Sequence, residues 1–467
     1  MIIKKIQNVF TKNKTPRQKL VILGTGWAGT SCHKYINKNL YDVIIVSPRN
    51  YFLFTPLLAS TTTGTLNHTS IIDPVRQRKF RHTQDYKCAK VQRIDTDKKE
   101  LTLKSVLVED ENVLPTFTMS YDKLVIGVGA VTNTFNIPGV EEYAYFLKDI
   151  AHSVAIKKQL SINLEVATNG GSGLISPAEI RKRLHVIIVG GGPTGIEFGA
   201  EVYDFMKADI KKKFPDIANH VRVSIIDAGK ILSMFDEGLQ NKAQEKIRKR
   251  ANFQLFEDTG VIKVDADGVH LSDGSIMKSG LVVWSTGLKA NPLFKNIGNI
   301  ELNRKGYIHT DKQFETNIPD IFAIGDCADV DNQNLMQTAQ QAEQQGKYLS
   351  KEILNKPDLK KQDREPYKFV FRGVMAYIGG YRAMVQAPNS INGKDISKVS
   401  PRWEGIHGLI AWRSAYWTML GRWHLRFQVP FDWFKSFCFG RDSSIFIGDK
   451  RPIEFKKEIL ENRKLEK

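Results

Sequence analysis

The chain has 467 residues, 42% of them hydrophobic, and 68 lysines and arginines against 50 acidic residues give it a net charge of +18. That length predicts two or three globular domains. Cys32, Cys88, Cys327 and Cys438 lie scattered without CxxC pairing, which excludes a disulfide framework or zinc site and fits a reducing compartment. No apolar run approaches the ~20 residues that span a bilayer, so the positive balance points to a polyanionic neighbour, nucleic acid or anionic lipid.

Residues 1–18 form a basic extension, with Lys4, Lys5, Lys12, Lys14 and Arg17 interleaved among Ile2, Ile3, Ile6, Val9 and Phe10 and no acid. The pattern fits an organellar presequence and equally a basic tail. An apolar strand at 20–23 then runs into Gly24-Thr25-Gly26-Trp27-Ala28-Gly29, and a helix opens at 30–35. Glycine is needed three times in such a turn. One makes the bend, one lets backbone approach a pyrophosphate, and one packs helix on strand, while the helix N-terminus offers its N–H groups to the phosphates. The next strand, 42–46, ends Val46-Ser47-Pro48-Arg49 without an acid, so a ribose contact here falls to Ser47 or to backbone groups. Residues 121–129, ending at Gly129, read as the strand that closes this unit, and 169–176 as a surface crossing.

The same signature returns after the strand 185–189, as Gly190-Gly191-Gly192-Pro193-Thr194-Gly195 followed by a helix. Two fingerprints in correct strand-turn-helix settings predict two adenine dinucleotides in one chain. The second strand of this unit, 221–226, ends at Asp227, where a carboxylate accepts bonds from both ribose hydroxyls and repels a 2′-phosphate, selecting NADH. Its distance from the glycines exceeds the usual spacing because 207–220 lengthens the crossover, and a plain strand-end acid is the competing reading. The closing strand, 281–285, leads to Gly287. Residues 316–326 form a strand ending Gly325-Asp326, an acid placed to bond a ribityl hydroxyl beside a flavin pyrophosphate. FAD is therefore expected in the first unit and NADH in the second. No metal is expected, and no base-stacking or recognition motif supports nucleic-acid binding.

The segments SPRNYFLFTPLL (47–58), TNTFNIPGV (132–140), VGGGPTGIE (189–197), WSTG (284–287), IFAIGD (321–326), TAQQAEQQGKYL (338–349) and GVMAYIGGYRA (373–383) resemble the two-dinucleotide-fold flavoprotein reductases. Within them, the chain is similar from 19 to 441 to the type II, non-proton-pumping NADH:quinone oxidoreductases. The resemblance implies an α/β fold of two Rossmann-like domains, glutathione-reductase-like, with the NADH domain (184–294) inserted in the FAD domain (19–160 and 295–365). A C-terminal amphipathic helical region (366–467) is expected to attach to a membrane. The resemblance further implies that Arg49 and Pro56 adjoin FAD. It places Glu197 near the nicotinamide–flavin junction, for proton handling or nicotinamide orientation, and Gln340 and Gln344 at a quinone headgroup. Glu197 as a helix-start residue and Gln344 as part of a solvated face are the alternatives. Where relatives read AQxAxQEA, this chain has Gln345-Gly346. Disulfide reductases of this superfamily place a cysteine pair just after the second strand. Here Phe52, Leu53, Phe54, Thr55, Pro56 and Leu57 occupy that place, which removes a thiol relay and leaves an apolar acceptor.

Taken as one helix over 408–427, Leu409, Trp412, Tyr416, Leu420, Trp423 and Phe427 form a stripe, with Arg413 and Arg426 at its borders and Arg422 opposite. Pro430 is expected to stop that helix or start another, carrying Phe431, Phe434 and Cys438 beside Lys435 and Arg441. Such a face suits an interfacial helix or a homodimer contact. The expected activity is FAD-dependent electron transfer from NADH to a membrane quinone, ubiquinone, by a peripheral enzyme of the mitochondrial inner membrane or of the cytoplasmic face of a bacterial plasma membrane. A reductase with a soluble or protein acceptor and a catalytically silent flavoprotein subunit are the competing readings.

Overall fold

The computed structural model describes residues 17–106, 116–168, 174–331, 333, 335–388, 390–391, 394–395 and 402–444. The expected N-terminal extension and part of the 169–176 crossing lie outside the described residues. The chain forms two compact units. The first comprises the chain up to Phe52, Pro74–Val131 and Lys289–Val370, and the second Leu53–Asp73, Thr132–Leu288 and the chain from Phe371.

In the first unit a seven-stranded sheet runs in the order Ile321–Ala323, Lys123–Ile126, Gln18–Leu23, Tyr41–Ser47, Tyr86–Asp95, Glu100–Ser105, Thr116–Ser120. The first four neighbouring pairs are parallel and the last two antiparallel. Leu20, Val21, Ile22 and Leu23 are all fully buried, an uninterrupted apolar run of the kind a strand covered on both faces requires. Alternate residues divide between two cores. Leu20 and Ile22 pack with Phe314, Ile324 and Leu349, while Val21 and Leu23 pack with Leu101, Ile126 and Phe294.

The second unit holds a five-stranded parallel sheet in the order Tyr145–Phe146, Leu281–Trp284, His185–Val189, Arg222–Ile226, Phe253–Phe256. Beside it lie an antiparallel sheet of Val261–Asp265, Gly268–Leu271 and Ile276–Lys278, and another of Val374–Tyr377, Ala383–Gln386 and Arg402–Trp403. The helix Gly405–Met419 packs on the strand Ala383–Gln386. Segments 53–73 and 132–160, expected with the FAD domain, fall in this unit, and so do the described residues from Phe371.

The C-terminal stripe divides where the sequence alone predicted continuity. Helices Gly405–Met419 and Trp423–Phe439 are separate, broken at Leu420-Gly421-Arg422. Leu409, Trp412, Tyr416 and Leu420 are buried within the unit, so they are core residues and not part of an outward face. Trp423, Phe427, Phe431, Phe434, Phe437 and Phe439 are 59–78% exposed on the second helix. Pro430 neither ends nor starts this helix. Its missing N–H frees the carbonyl of Arg426, which accepts the Trp417 indole N–H at 2.8 Å. Arg422 forms an ion pair with Asp73 at 3.0 Å, and the Arg441 side chain, 11% exposed, pairs with Asp209.

Candidate functional site

The first fingerprint gives each glycine the role its position predicts. Gly24 has φ +103°, and a Cβ on it would stand 2.4 Å from the Gly127 carbonyl oxygen. A Cβ on Gly29 would fall 2.1 Å from the Gly24 oxygen, whereas Gly26 faces open space with only the Arg49 guanidinium near, at 4.0 Å. The middle glycine is thus the exposed floor of the turn, and a cation overhangs it. Ser47, buried at the strand end, bonds the Thr25 hydroxyl at 3.0 Å and accepts the Arg49 N–H at 3.2 Å. Thr25 also donates to the Arg49 and Tyr51 carbonyls. Ser47 therefore shapes the loop that presents Arg49.

Gly325 and Asp326 sit in a tight turn after Ile321–Ala323, and the helix Ala339–Tyr348 packs directly against it. A Cβ on Gly325 would approach Ala28 to 3.0 Å and Ala342 to 3.5 Å. Gln345 is buried, and its side-chain oxygen accepts the Gly325 N–H at 2.6 Å. A Cβ on Gly346 would lie 2.3 Å from the Ala28 carbonyl oxygen. The departure at Gln345-Gly346 thus locks the second helix onto the fingerprint helix Trp27–Tyr35. Gly129, at φ +70°, faces open space. At the N-terminus of Ala339–Tyr348, Thr338 Oγ1 and the Gln341 side-chain oxygen are buried atoms without a hydrogen-bond partner among the described residues. Orphaned polar atoms, open glycines at 26 and 129 and an adjacent cation suit a large polar cofactor with a pyrophosphate, as FAD is.

Gln340 lies in the first turn of that helix. Gln344 has both ends of its amide bonded to the Val370 backbone, at 2.8 and 3.0 Å. It clamps the segment that follows Tyr367. Pro56, expected beside FAD, opens a short turn at Thr55–Leu57 in the second unit.

The second fingerprint repeats the first. Gly190, at φ +117°, leaves no room for a Cβ against Ser285 and Thr286. Gly195 would collide with the Gly190 oxygen at 1.9 Å, while Gly192 is open. Asp227 directly follows Arg222–Ile226 and accepts the N–H of Gly191 at 2.5 Å and of Gly229 at 2.8 Å. The long interval before it is filled by a wide π turn, Met206–Ile210, and short helices at Lys211–Lys213 and Ala218–His220. Gly287, at φ +73°, lies against the ring of Phe135, which is 54% exposed. Trp284 donates its indole N–H to the Asn133 carbonyl at 3.0 Å. Asp227→Ala removes an acceptor of two charge-assisted bonds, each worth about 1.5–3 kcal/mol, and tests the expectation that this carboxylate repels a 2′-phosphate. NADH KM should rise at least about tenfold and the preference over NADPH shrink, as steady-state kinetics with both nucleotides would read. Unchanged values for both would take Asp227 out of the site.

Glu197 follows Gly195 on the helix Pro193–Phe205 and is buried. Burial lifts its carboxyl from the usual range to about 8, opposed by the Tyr377 N–H that it accepts at 3.1 Å. Buried Cys32 and Cys327 have their thiols pushed up to about 12 by burial. Cys88 is half-buried, Cys438 exposed, and none forms a disulfide. Sequence reasoning missed Gly127, Thr338, Gln341 and the clamp of Gln345. Only Gly127 had a visible signal, the G-x-G that follows the strand Lys123–Ile126.

The pyridine nucleotide-disulphide oxidoreductase family matches residues 18–346, and the NDH2 C-terminal domain matches 371–442. A probable NADH dehydrogenase of Dictyostelium discoideum is 40% identical over 92% of this chain and 91% of its own. The mitochondrial internal alternative NAD(P)H-ubiquinone oxidoreductase A1 of Solanum tuberosum is 36% identical over 92% of this chain and 88% of its own. Among solved structures, NDH2 from Plasmodium falciparum in complex with NADH superposes with a TM-score of 0.82 at 26% identity, covering 92% of this chain and all of that one. With both glycine cradles intact and the C-terminal domain matched as well, the chain belongs to the pyridine nucleotide-disulphide oxidoreductases and, within them, to the type II NADH dehydrogenases.

Proposed function

We propose that the protein is a type II NADH:quinone oxidoreductase that carries FAD on its first fingerprint, takes NADH on its second, and reduces a membrane quinone, ubiquinone, without pumping protons. The observation that carries this reading is the pair of complete glycine cradles in a chain whose buried thiols are held protonated. Bound FAD supplies the two-electron chemistry, accepting hydride from NADH and passing electrons on. The residues position and charge-balance. Gly24, Gly26, Gly29 and Arg49 cradle the flavin's pyrophosphate, with Asp326 toward its ribityl chain, and Gly190, Gly192, Gly195 and Asp227 orient NADH. Glu197, neutral at pH 7, is suited to hand a proton to the acceptor. Anaerobic NADH should bleach the purified flavoprotein, and a short-chain quinone should restore its colour. Bleaching reversed by ferricyanide but not by quinone would favour a soluble acceptor, and no bleaching a silent subunit.

The membrane reading rests on the helix Trp423–Phe439. Among the described residues no helix is long and apolar enough to cross a membrane. Phe427, Phe431 and Phe434 lie at three- and four-residue steps and are 71%, 64% and 59% exposed, a patch rimmed by Arg426 and Lys435. The mitochondrial relatives support a peripheral position on the mitochondrial inner membrane. Full burial of one such phenylalanine contributes about 1.5–3 kcal/mol. Changing all three to serine should lower binding to anionic vesicles at least about tenfold in flotation assays, with NADH–ferricyanide activity kept. Undiminished flotation, or a change of oligomeric state instead, would assign the patch elsewhere.

A further inference from the structure

Behind Glu197 the helix Pro193–Phe205 buries a second carboxylate, Glu201, four residues on and therefore on the same face. It accepts the Ser60 hydroxyl at 2.7 Å and the Thr63 hydroxyl at 3.2 Å, and it also bonds Thr65. The wide turn Met206–Ile210 then brings Asp209 into reach of the same cation, Arg441, which lies 3.7 Å from Glu201 and 3.0 Å from Asp209. A cavity of about 180 Å³ opens beside these groups, lined by Ser60, Thr65, Glu201, Asp209 and Trp412 and reaching Lys212 and Lys213. At ~30 Å³ each, several waters would fit. Trp412 is 3% exposed, and its indole N–H lies beside the Glu197 carboxyl without a hydrogen bond of normal geometry, so the same ring borders cavity and carboxyl.

The reaction needs such a supply. NADH, quinone and one proton give NAD⁺ and quinol, so each turnover draws one proton from solution while hydride carries the other. We propose that Glu201 is the positioning and relay residue that takes this proton from the cavity and passes it to Glu197. The proposal rests on the quinone-reductase reading. In the cycle, Glu197 gives up its proton and is re-protonated through Glu201, which takes a proton from solvent in the cavity, passes it on, and returns to the ionised form paired with Arg441. No bond but O–H is made or broken. The groups facing Glu201 are Arg441 from the C-terminal segment, Arg413 from the helix Gly405–Met419, Tyr377 from its strand, and Glu197, Asp204 and Asp209 on its own element.

Stopped-flow on the holoenzyme tests this by separating the two half-reactions. In E201Q, flavin reduction by NADH should stay within about twofold of wild type. Reoxidation by a short-chain quinone should slow at least about tenfold, with an altered pH profile and a larger solvent isotope effect, and E201D should recover part of the rate. Redox-difference infrared spectra should lose an H/D-sensitive protonated-carboxyl band in E201Q. Wild-type reoxidation and pH profile in E201Q, or an equal slowing of both half-reactions, would overturn the relay. Should E201Q fail to fold, the double variant S60A/T65V must show the same selective slowing, and normal reoxidation there refutes the proposal. If wild-type flavin is not reoxidised by quinone at all, the failure is of the enzyme reading itself.

Discussion

Substituting alanine for Gly346 is expected to give a protein that purifies nearly colourless. The added methyl would stand 2.3 Å from the Ala28 carbonyl oxygen and 2.9 Å from the Cys32 amide nitrogen. Both are backbone atoms of the helix Trp27–Tyr35, so no rotamer change relieves the clash and the two helices must separate. Overpacking of this kind typically costs about 1–3 kcal/mol, and it falls on the helix whose N-terminus the pyrophosphate would use. Every 1.4 kcal/mol taken from the cofactor-competent geometry is about a factor of ten in affinity. The measurement is flavin absorbance per mole of purified protein, with unfolding followed in parallel. Gly421→Ala is the control, because nothing lies within 4 Å of a Cβ there. Normal flavin content in the Gly346 variant would show that the helix contact does not shape the cofactor site.

The same position shows where sequence reading stops. The fingerprints were legible because their physics is local. Gly24 and Gly190 need positive φ, and Gly29 and Gly195 collide with their own turns. The position of Asp227 was legible too, despite its long interval, because an acid ending the second strand depends on strand position and not on residue count. Gln344 was not. Its spacing from Gln340 fixes a shared helix face, but which groups meet that face is decided by the fold of Val370 beside it. The C-terminal stripe failed for a related reason. Three- and four-residue periodicity describes an apolar face equally well whether it meets core or lipid, so Leu409 and Trp412 read like Phe427 and Phe431. Only packing separates the buried pair from the exposed pair. The antiparallel strands Glu100–Ser105 and Thr116–Ser120 went unread because their half-polar sequences offer no long apolar run.

Arg441→Met should be the most destabilising change in the C-terminal region. The guanidinium is 11% exposed and bonds Asp209 Oδ2 at 3.0 Å and the Thr65 hydroxyl at 2.7 Å, while its backbone N–H is accepted by Asp209 Oδ1 at 2.7 Å. Asp209 and Glu201 are 2% and 4% exposed at their side chains. Nearby acids raise the Arg441 pKa against the opposing effect of burial, so it stays charged throughout the working range. Methionine matches its length but leaves two buried carboxylates facing one another without a cation, a loss of about 3–5 kcal/mol for a broken buried pair. Lys213, 3.9 Å from Asp209 and partly exposed, is too distant and too well hydrated to take over. Urea denaturation should show the midpoint falling with an unchanged slope. Arg441→Lys should recover part of the loss, since it restores charge without the two-pronged geometry. A methionine variant as stable as wild type would mean that Asp209 and Glu201 are neutralised by protons, and that Arg441 is packed there rather than paired.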